Sequence, residues 1–167
     1  MDLLEKLQGE LPLLEQGFRV LEAKLPSPVA TCIGSRTHPR YKEMTAEQAV
    51  LQKIARYISG LHALLILLRH RHLQEDGTLK RTLDELGDDV IFLLMQPQNE
   101  KELALHKRFL DGFYAEEFDE GVSPMDSKRK RKRTLRREVR DYIEVRTASL
   151  SKHGGRASEV IYQGYSG

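Results

Sequence analysis

Hydrophobic residues recur at intervals of three and four over residues 3–25, which is the spacing of one apolar stripe on an amphipathic helix. The stripe consists of Leu3, Leu7, Leu11, Leu14, Phe18, Leu21 and Leu25. Pro12 predicts a kink or a fresh start within this helix, and Pro26-Ser27-Pro28 predicts its end, because proline cannot donate the helical hydrogen bond. Residues 26–44 follow without a sustained helical pattern, so we predict a long irregular connection there.

A second apolar segment predicts the central helix of the protein, over about residues 45–73. Thr45 followed by Gln48 has the spacing of a capping box at a helix start. From Tyr57 to Leu68 the segment is apolar on every side of a helix, which is typical of a buried position. The cations that follow Leu68 suit the negative end of the helix dipole.

Three more helices are predicted in the second half of the chain. After Gly77, residues 78–95 carry one apolar face and then become apolar all round. A fourth helix is expected over about residues 99–118, and a fifth from Asp126 or Ser127 to about Ser149. A short amphipathic piece around residues 160–162 predicts a last, short helix.

These elements predict an all-α protein: one domain over residues 1–167 with about five helices, a buried central helix and a short C-terminal helix. Within it, residues 1–25 form the N-terminal helix, residues 26–44 the irregular connection and residues 45–167 the main bundle. We find no segment with the sustained alternation of a β-strand and no internal repeat.

The charge pattern reverses sharply in the second half of the chain. Residues 111–120 carry five carboxylates, and residues 128–140 carry nine Lys or Arg and one acid, although the net charge is only +2. Two interpretations remain open: a surface that contacts the phosphates of a nucleic acid, or a face paired with the preceding acids. The basic residues are Lys128, Arg129, Lys130, Arg131, Lys132, Arg133, Arg136, Arg137 and Arg140. Since no aromatic residue is interleaved with the basic run 128–133, base stacking is not predicted.

Helix three carries a second charged group on the side opposite its apolar stripe. Arg81 stands three and four residues before Asp84 and Glu85, so an ion pair within the helix is expected, with Asp88 and Asp89 one turn further on. Solvent exposure is one interpretation. The other is a partly buried cluster of Arg and carboxylates, because the same helix becomes apolar all round one turn later.

The sequence predicts neither a metal centre nor a bound cofactor. No Glu or Asp stands three residues before any histidine, so the paired Glu-x-x-His motifs of a di-iron bundle are absent. Glu102 and His106 are four residues apart, which most simply predicts a surface hydrogen bond, and His62 is expected to be a satisfied core residue. Cys32 is the only cysteine, and phosphate-binding glycine loops are missing.

The start of the chain lacks the pattern of an export signal, and its longest apolar run is too short to cross a bilayer. We therefore expect a cytoplasmic protein with no membrane partner.

Three segments, residues 81–93, 109–119 and 163–167, resemble a family of uncharacterised, predominantly helical bacterial proteins. The resemblance covers about residues 45–167. In that family Tyr-Ser-Gly is typically followed by Tyr-Val-His, whereas this chain stops at Gly167, so the resemblance implies a shortened version or a missing C-terminal piece. By matching positions, it implies a shared polar site formed by Arg81, Asp84, Glu85, Glu116, Glu117, Tyr165 and Ser166.

A weaker similarity is to the HEPN class of helical bundles, some of which are ribonucleases that use Arg and His a few residues apart. Arg56 and His62 have five residues between them, but they lie on different faces of a continuous helix.

The leading functional hypothesis is a non-catalytic helical binding or regulatory module of a bacterial cell, with a protein partner or a homo-oligomer. The alternative is a nucleic-acid-associated protein, with a HEPN-like ribonuclease of a toxin or phage-defence system as one form. A hydrolase that uses the carboxylates of helices three and four ranks last, because general acid–base catalysis needs a dry pocket that a sequence does not reveal.

Overall fold

The described part of the protein is a bundle of five helices with one small β-hairpin. The computed structural model describes residues 3–33, 36–115 and 134–152. Its elements are α1 (Leu3–Glu22), β1 (Val29–Ile33), β2 (Arg36–Arg40), α2 (Ala46–Arg69), α3 (Leu73–Leu94), α4 (Glu100–Tyr114) and α5 (Arg136–Lys152). The prediction of an all-α bundle of about five helices is confirmed, whereas the short helix expected around residues 160–162 lies outside the described residues.

The connection after α1 is not irregular as predicted, because it contains an antiparallel hairpin. β1 pairs with β2 in a register that sets Val29 opposite Arg40 and Ile33 opposite Arg36. The β-branched residues of β1 and the Gly-Ser dipeptide between the strands are hairpin signals in the sequence. Strands of five residues are too short to show a sustained alternation, so the sequence pattern missed them.

The capping box predicted at the start of α2 is present. The Thr45 hydroxyl accepts a hydrogen bond from the backbone N–H of Gln48, and the Gln48 side chain accepts one from the backbone N–H of Thr45. Tyr114 at the end of α4 donates its hydroxyl proton to the Thr45 carbonyl at 2.7 Å, and burial raises the pKa of Tyr114 to about 12. Both contacts fix the start of α2 inside the bundle.

The break between α2 and α3 falls at Arg71 and His72, not at Gly77 as predicted. The backbone N–H of Arg71 donates to the carbonyl of Leu68, and that of His72 to the carbonyl of Leu67. This pair of bonds is the Schellman motif, which needs a left-handed residue, and Arg71 has a φ of 58°. Because this turn ends α2 before Gly77, the glycine is incorporated into the next helix.

The core lies where α2 packs against α3, with α4 and α5 closing one end and α1 covering the other. Ala49, Val50, Phe92, Val139 and Tyr142 form the larger buried cluster. The apolar face predicted for helix three is confirmed, since its leucines pack against the second half of α2.

The second half of α2 is not enclosed on every side as predicted. Leu64 and Leu65 are buried, but Ala63 and Ile66 lie in solvent, with 57% of Ile66 exposed. The apolar run therefore supplies both a core face and an uncovered face.

The last two helices are shorter than predicted. α4 ends at Tyr114 instead of continuing to about residue 118, since the backbone of Ala115 is extended. Residues 134 and 135 are not helical, so α5 begins at Arg136 and not near Asp126. The Glu138 carboxylate accepts a hydrogen bond from the backbone N–H of Leu135 and so caps the new start.

Two helical glycines should respond oppositely to alanine. A Cβ at Gly60 would meet the Cδ2 atom of buried Leu83 at 2.6 Å, whereas one at Gly77 would meet nothing within 4 Å. Gly77→Ala should raise the free energy of unfolding by about 0.5–1 kcal/mol, because alanine favours helix. Gly60→Ala should instead lower it by about 1–3 kcal/mol through overpacking. Denaturant unfolding measures both, and equal stabilisation by the two variants would contradict the close approach of α2 and α3.

Candidate functional site

A buried carboxylate, Asp89 of α3, joins three helices. Its side chain is 2% exposed, and its Oδ2 atom lies 2.6 Å from Nζ of Lys53 on α2. The guanidinium of Arg136 on α5 donates to both carboxylate oxygens, with Nη2 3.3 Å from Oδ2. We call Lys53, Asp89 and Arg136 the Asp89 cluster.

Lys53 is almost as buried as its partner, with 10% of its side chain exposed. Its ammonium group lies 4.7 Å from the ring centroid of Phe113 and 5.3 Å from that of Phe109, both on α4. Cation–π attraction to these two rings supplements the ion pair. Lys53 thereby connects α4 to the same cluster.

Further ion pairs surround the Asp89 cluster on its solvent side. Arg136 also approaches Glu85, which lies 3.5 Å from Arg81 one turn earlier on α3. Arg140 donates to Asp88 at 3.0 Å, and this hydrogen bond and the negative charge raise the pKa of Arg140. α5 is thus held to α3 by charges over two successive turns.

A separate ion pair joins α4 to α5. Arg108 lies 2.5 Å from the Glu138 carboxylate, which also accepts the cap hydrogen bond from Leu135. The backbone hydrogen bond and the Arg108 charge lower the pKa of Glu138.

The contacts of the Asp89 cluster suit a structural role that holds helices together. Both carboxylate oxygens of Asp89 are bonded to cations, and the Lys53 ammonium lies against a carboxylate and two rings. A general base or a nucleophile must reach a substrate, whereas the side chains of Asp89 and Lys53 are only 2% and 10% exposed and bond to each other. The cluster positions α5 on the α2–α3 pair.

Of the two interpretations of helix three, solvent exposure holds for Arg81 and Asp84, whereas Glu85 and Asp88 are half-buried and Asp89 is buried. The arginine that bonds to Asp89 is Arg136 of α5, and not Arg81 of the same helix. Of the polar site that the bacterial resemblance implies, the structure places Arg81 beside Glu85 and leaves Asp84 exposed. Its remaining members, Glu116, Glu117, Tyr165 and Ser166, lie outside the described residues.

Sequence reasoning missed Lys53 and Arg136 as partners of Asp89. The signal for Lys53 was its position, three residues after Val50 and four before Tyr57, on the apolar side of α2. A lysine at such a position needs a buried partner. Nothing local in the sequence indicated Arg136, because its contacts come from a distant helix.

The basic stretch 128–140 is described only at its end, where every arginine is paired within the protein. Arg136 bonds to Asp89, Arg140 to Asp88, and Arg137 lies 3.6 Å from Asp141. Among the described residues, the acids that pair with Arg136 and Arg140 come from α3. The pairing that one interpretation expected with residues 116–120 lies outside the described residues. Nucleic-acid binding stays a prediction for Lys128, Arg129, Lys130, Arg131, Lys132 and Arg133, which lie outside the described residues.

His62 was expected in the core and His106 at the surface, but the structure shows the reverse. His62 is exposed, and its Nε2 atom lies 2.6 Å from Glu15 of α1, so it is not a core residue. His106 is buried, and its ring stacks on Phe92 at 4.1 Å. The expected surface hydrogen bond with Glu102 is absent from the described contacts of His106, because Glu102 accepts hydrogen bonds from Gln98 and Asn99 instead.

The outer side of α1 and one side of α2 each expose small or apolar residues that the described residues leave uncovered. They are Gly9, Leu13 and Val20 on α1 and Ala55, Ser59, Ala63 and Ile66 on α2. We call these two exposed strips together the α1–α2 face. A groove of about 440 Å³ separates the two helices beside it, and a second apolar groove of about 580 Å³ follows the other side of α1.

Of the described helices, α2 alone is long and apolar enough to cross a membrane by length and composition, and 28% of its most apolar 18-residue stretch is buried. The core helix of a soluble bundle meets the same criterion, and α2 packs against both α1 and α3.

Within the described ranges, no group of three or more His, Cys, Asp or Glu side chains is placed to hold a metal ion.

Comparisons with protein families, with curated proteins and with solved structures find no match to this chain.

Proposed function

We propose that this protein is a non-catalytic helical binding module that associates with a second copy of itself through the α1–α2 face. The observation that carries the proposal is the low coverage of α2, of whose most apolar stretch only 28% is buried. Exposed apolar side chains on two neighbouring helices are typical of interaction sites, because monomeric proteins rarely leave large apolar patches in contact with water. The Asp89 cluster serves this function by holding the bundle behind the face.

The shape of the α1–α2 face favours a second copy of the protein as its binding partner. Leu13 and Val20 project from α1 one heptad apart, 63% and 53% exposed. An apolar groove lies on one side of this helix, and a groove lined by both apolar and polar residues lies on the other. A surface that carries both ridges and grooves can pair with itself about a two-fold axis, so that each ridge fills the partner's groove.

The charges of α1 and α2 also favour a second copy as the binding partner. α1 carries four acidic and two basic residues, whereas α2 carries one acid and two exposed arginines, since its third basic residue, Lys53, is buried and paired with Asp89. Arg56 and Arg69 of α2 are exposed beside the small side chains of the α1–α2 face. If α1 of one copy lies across α2 of the other, opposite net charges meet at both symmetry-related contacts.

Sedimentation measurements over a range of concentrations test this proposal. The natural chain should form a dimer, and Leu13→Arg/Val20→Arg should weaken it at least about tenfold, because a buried unpaired charge costs more than about 1.4 kcal/mol. Leu135→Arg/Val145→Arg is the matched control, since these α5-side residues are 65% and 68% exposed and lie away from the face. A chain that stays monomeric, or a control that dissociates equally, would contradict the proposal.

We also propose a cytoplasmic location in a bacterial cell. The exposed, unpaired thiol of Cys32 supports a reducing compartment, because such a thiol is readily oxidised elsewhere.

A further inference from the structure

A cleft lies at the end of the bundle opposite to the outer side of α1, between the start of α2, the end of α3 and α4. Its volume is about 300 Å³, the lower end of the range for small-molecule sites. Most of the side chains around it are aliphatic, including Val50, Leu93, Met95, Leu103 and Leu110.

One buried polar side chain borders this cleft. His106 is 6% exposed, and its Nε2 atom finds no hydrogen-bond partner among the described residues. A buried ring nitrogen without a partner is costly, so a hydrogen bond supplied by a bound molecule would be favourable. The stacked ring of Phe92 and the edge of Tyr142, at 4.1 and 5.3 Å between centroids, hold the imidazole in place.

The charge state of His106 restricts the class of molecule. Burial lowers the pKa of His106, while Glu102 opposes this shift and Arg146 adds to it. A neutral imidazole offers either a donor or an acceptor at Nε2, depending on its tautomer, and a hydroxyl group can complement both. At the cleft the negative charge of Glu47 is offset by the positive charge of Arg146, which donates to the carbonyl of Gln96, so neither an anionic nor a cationic ligand is favoured.

We propose that the cleft binds a small neutral molecule with an apolar or aromatic body and one hydroxyl group that hydrogen-bonds to Nε2 of His106. The aliphatic side chains bury the body, and His106 orients the hydroxyl. The cleft is separate from the α1–α2 face, so a test of ligand binding and a test of self-association give independent results.

NMR titration of the natural chain with p-cresol, and with toluene as the matched ligand without the hydroxyl, tests the proposal. p-Cresol should shift the methyl signal of Met95 and the imidazole nitrogen signals of His106 in a saturable manner. The methyl signals of Ile66, which is exposed near the other end of α2, serve as an internal reference. Toluene should bind about threefold to tenfold more weakly, as expected for the loss of one hydrogen bond.

Two variants locate the binding. Leu103→Arg places a charge at an exposed position of the cleft and should weaken p-cresol binding about tenfold or more, whereas Leu135→Arg, at a similarly exposed leucine elsewhere, should leave it unchanged. His106→Phe keeps the stacking on Phe92 and should equalise the affinities for p-cresol and toluene. No saturable shift at Met95, equal affinities in the natural chain, or equal effects of the two arginine variants would each overturn the proposal.

Discussion

Replacing Asp89 with alanine should lower the free energy of unfolding by about 3–5 kcal/mol, because the substitution removes one partner of a buried ion pair. Lys53 would then carry a positive charge at a site where 10% of its side chain reaches solvent, with no carboxylate to compensate it. α5 would lose its strongest attachment to α3 at the same time, since Arg136 donates to both oxygens of Asp89. Denaturant unfolding, followed by circular dichroism, measures the change.

Two control variants separate the buried charge from a general effect of altering helix three. Asp88→Ala removes the neighbouring, more exposed pair with Arg140 and should cost less than about 1 kcal/mol. The double variant Lys53→Met/Asp89→Leu should recover most of the loss, because hydrophobic replacement of a whole buried pair is often close to neutral. If the double variant is as unstable as Asp89→Ala, the loss does not come from an uncompensated lysine.

Phe92→Ala should also lower the free energy of unfolding by about 3–5 kcal/mol, because it removes a large buried ring from the core. Phe92 has no exposed surface, and its ring contacts those of His106, Phe109 and Tyr142 at centroid distances of 4.1–5.1 Å. Alanine would leave a cavity at the point where α3, α4 and α5 meet. The same unfolding measurement, with near-UV circular dichroism of the tyrosines, reports the loss of stability and of aromatic packing.

The adjacent residue provides the control for Phe92. Ile91 is 44% exposed, so Ile91→Ala should cost less than about 1.5 kcal/mol, since the removed atoms were largely in contact with water. Similar losses for the two variants would show that ring packing at Phe92 does not determine the effect, since alanine favours helix at both positions.

The candidate site was only partly predictable. The charged residues of α3 were identified from their spacing, and the alternative of a buried cluster followed from the apolar residues after Asp89. Which carboxylate is buried was not predictable, because Asp88 and Asp89 are neighbours of the same type in the sequence, and only the positions of α2 and α5 distinguish them. In the same way, both His62 and His106 lie among apolar residues, yet His106 is buried against rings of α3 and α5, whereas His62 stays exposed beside α1.

Two predicted helix boundaries were wrong, because each was inferred from a few neighbouring residues alone. Gly77 was taken as a break, but the hydrogen bonds of the motif at Arg71 had already ended α2, so the glycine lies within α3. The basic residues near 128 were taken as the start of α5, whereas the helix begins at Arg136.

The sequence by itself determined the five helices of the described residues, the apolar face of α3 and the capping of α2, because helix periodicity and caps depend on residues within one or two turns. Only the tertiary structure decided which charges are buried, which side of α2 remains uncovered and which histidine lacks a partner. Those properties depend on contacts between residues 30 to 50 positions apart, such as Lys53 with Asp89 and Asp89 with Arg136, and local spacing carries no information about them.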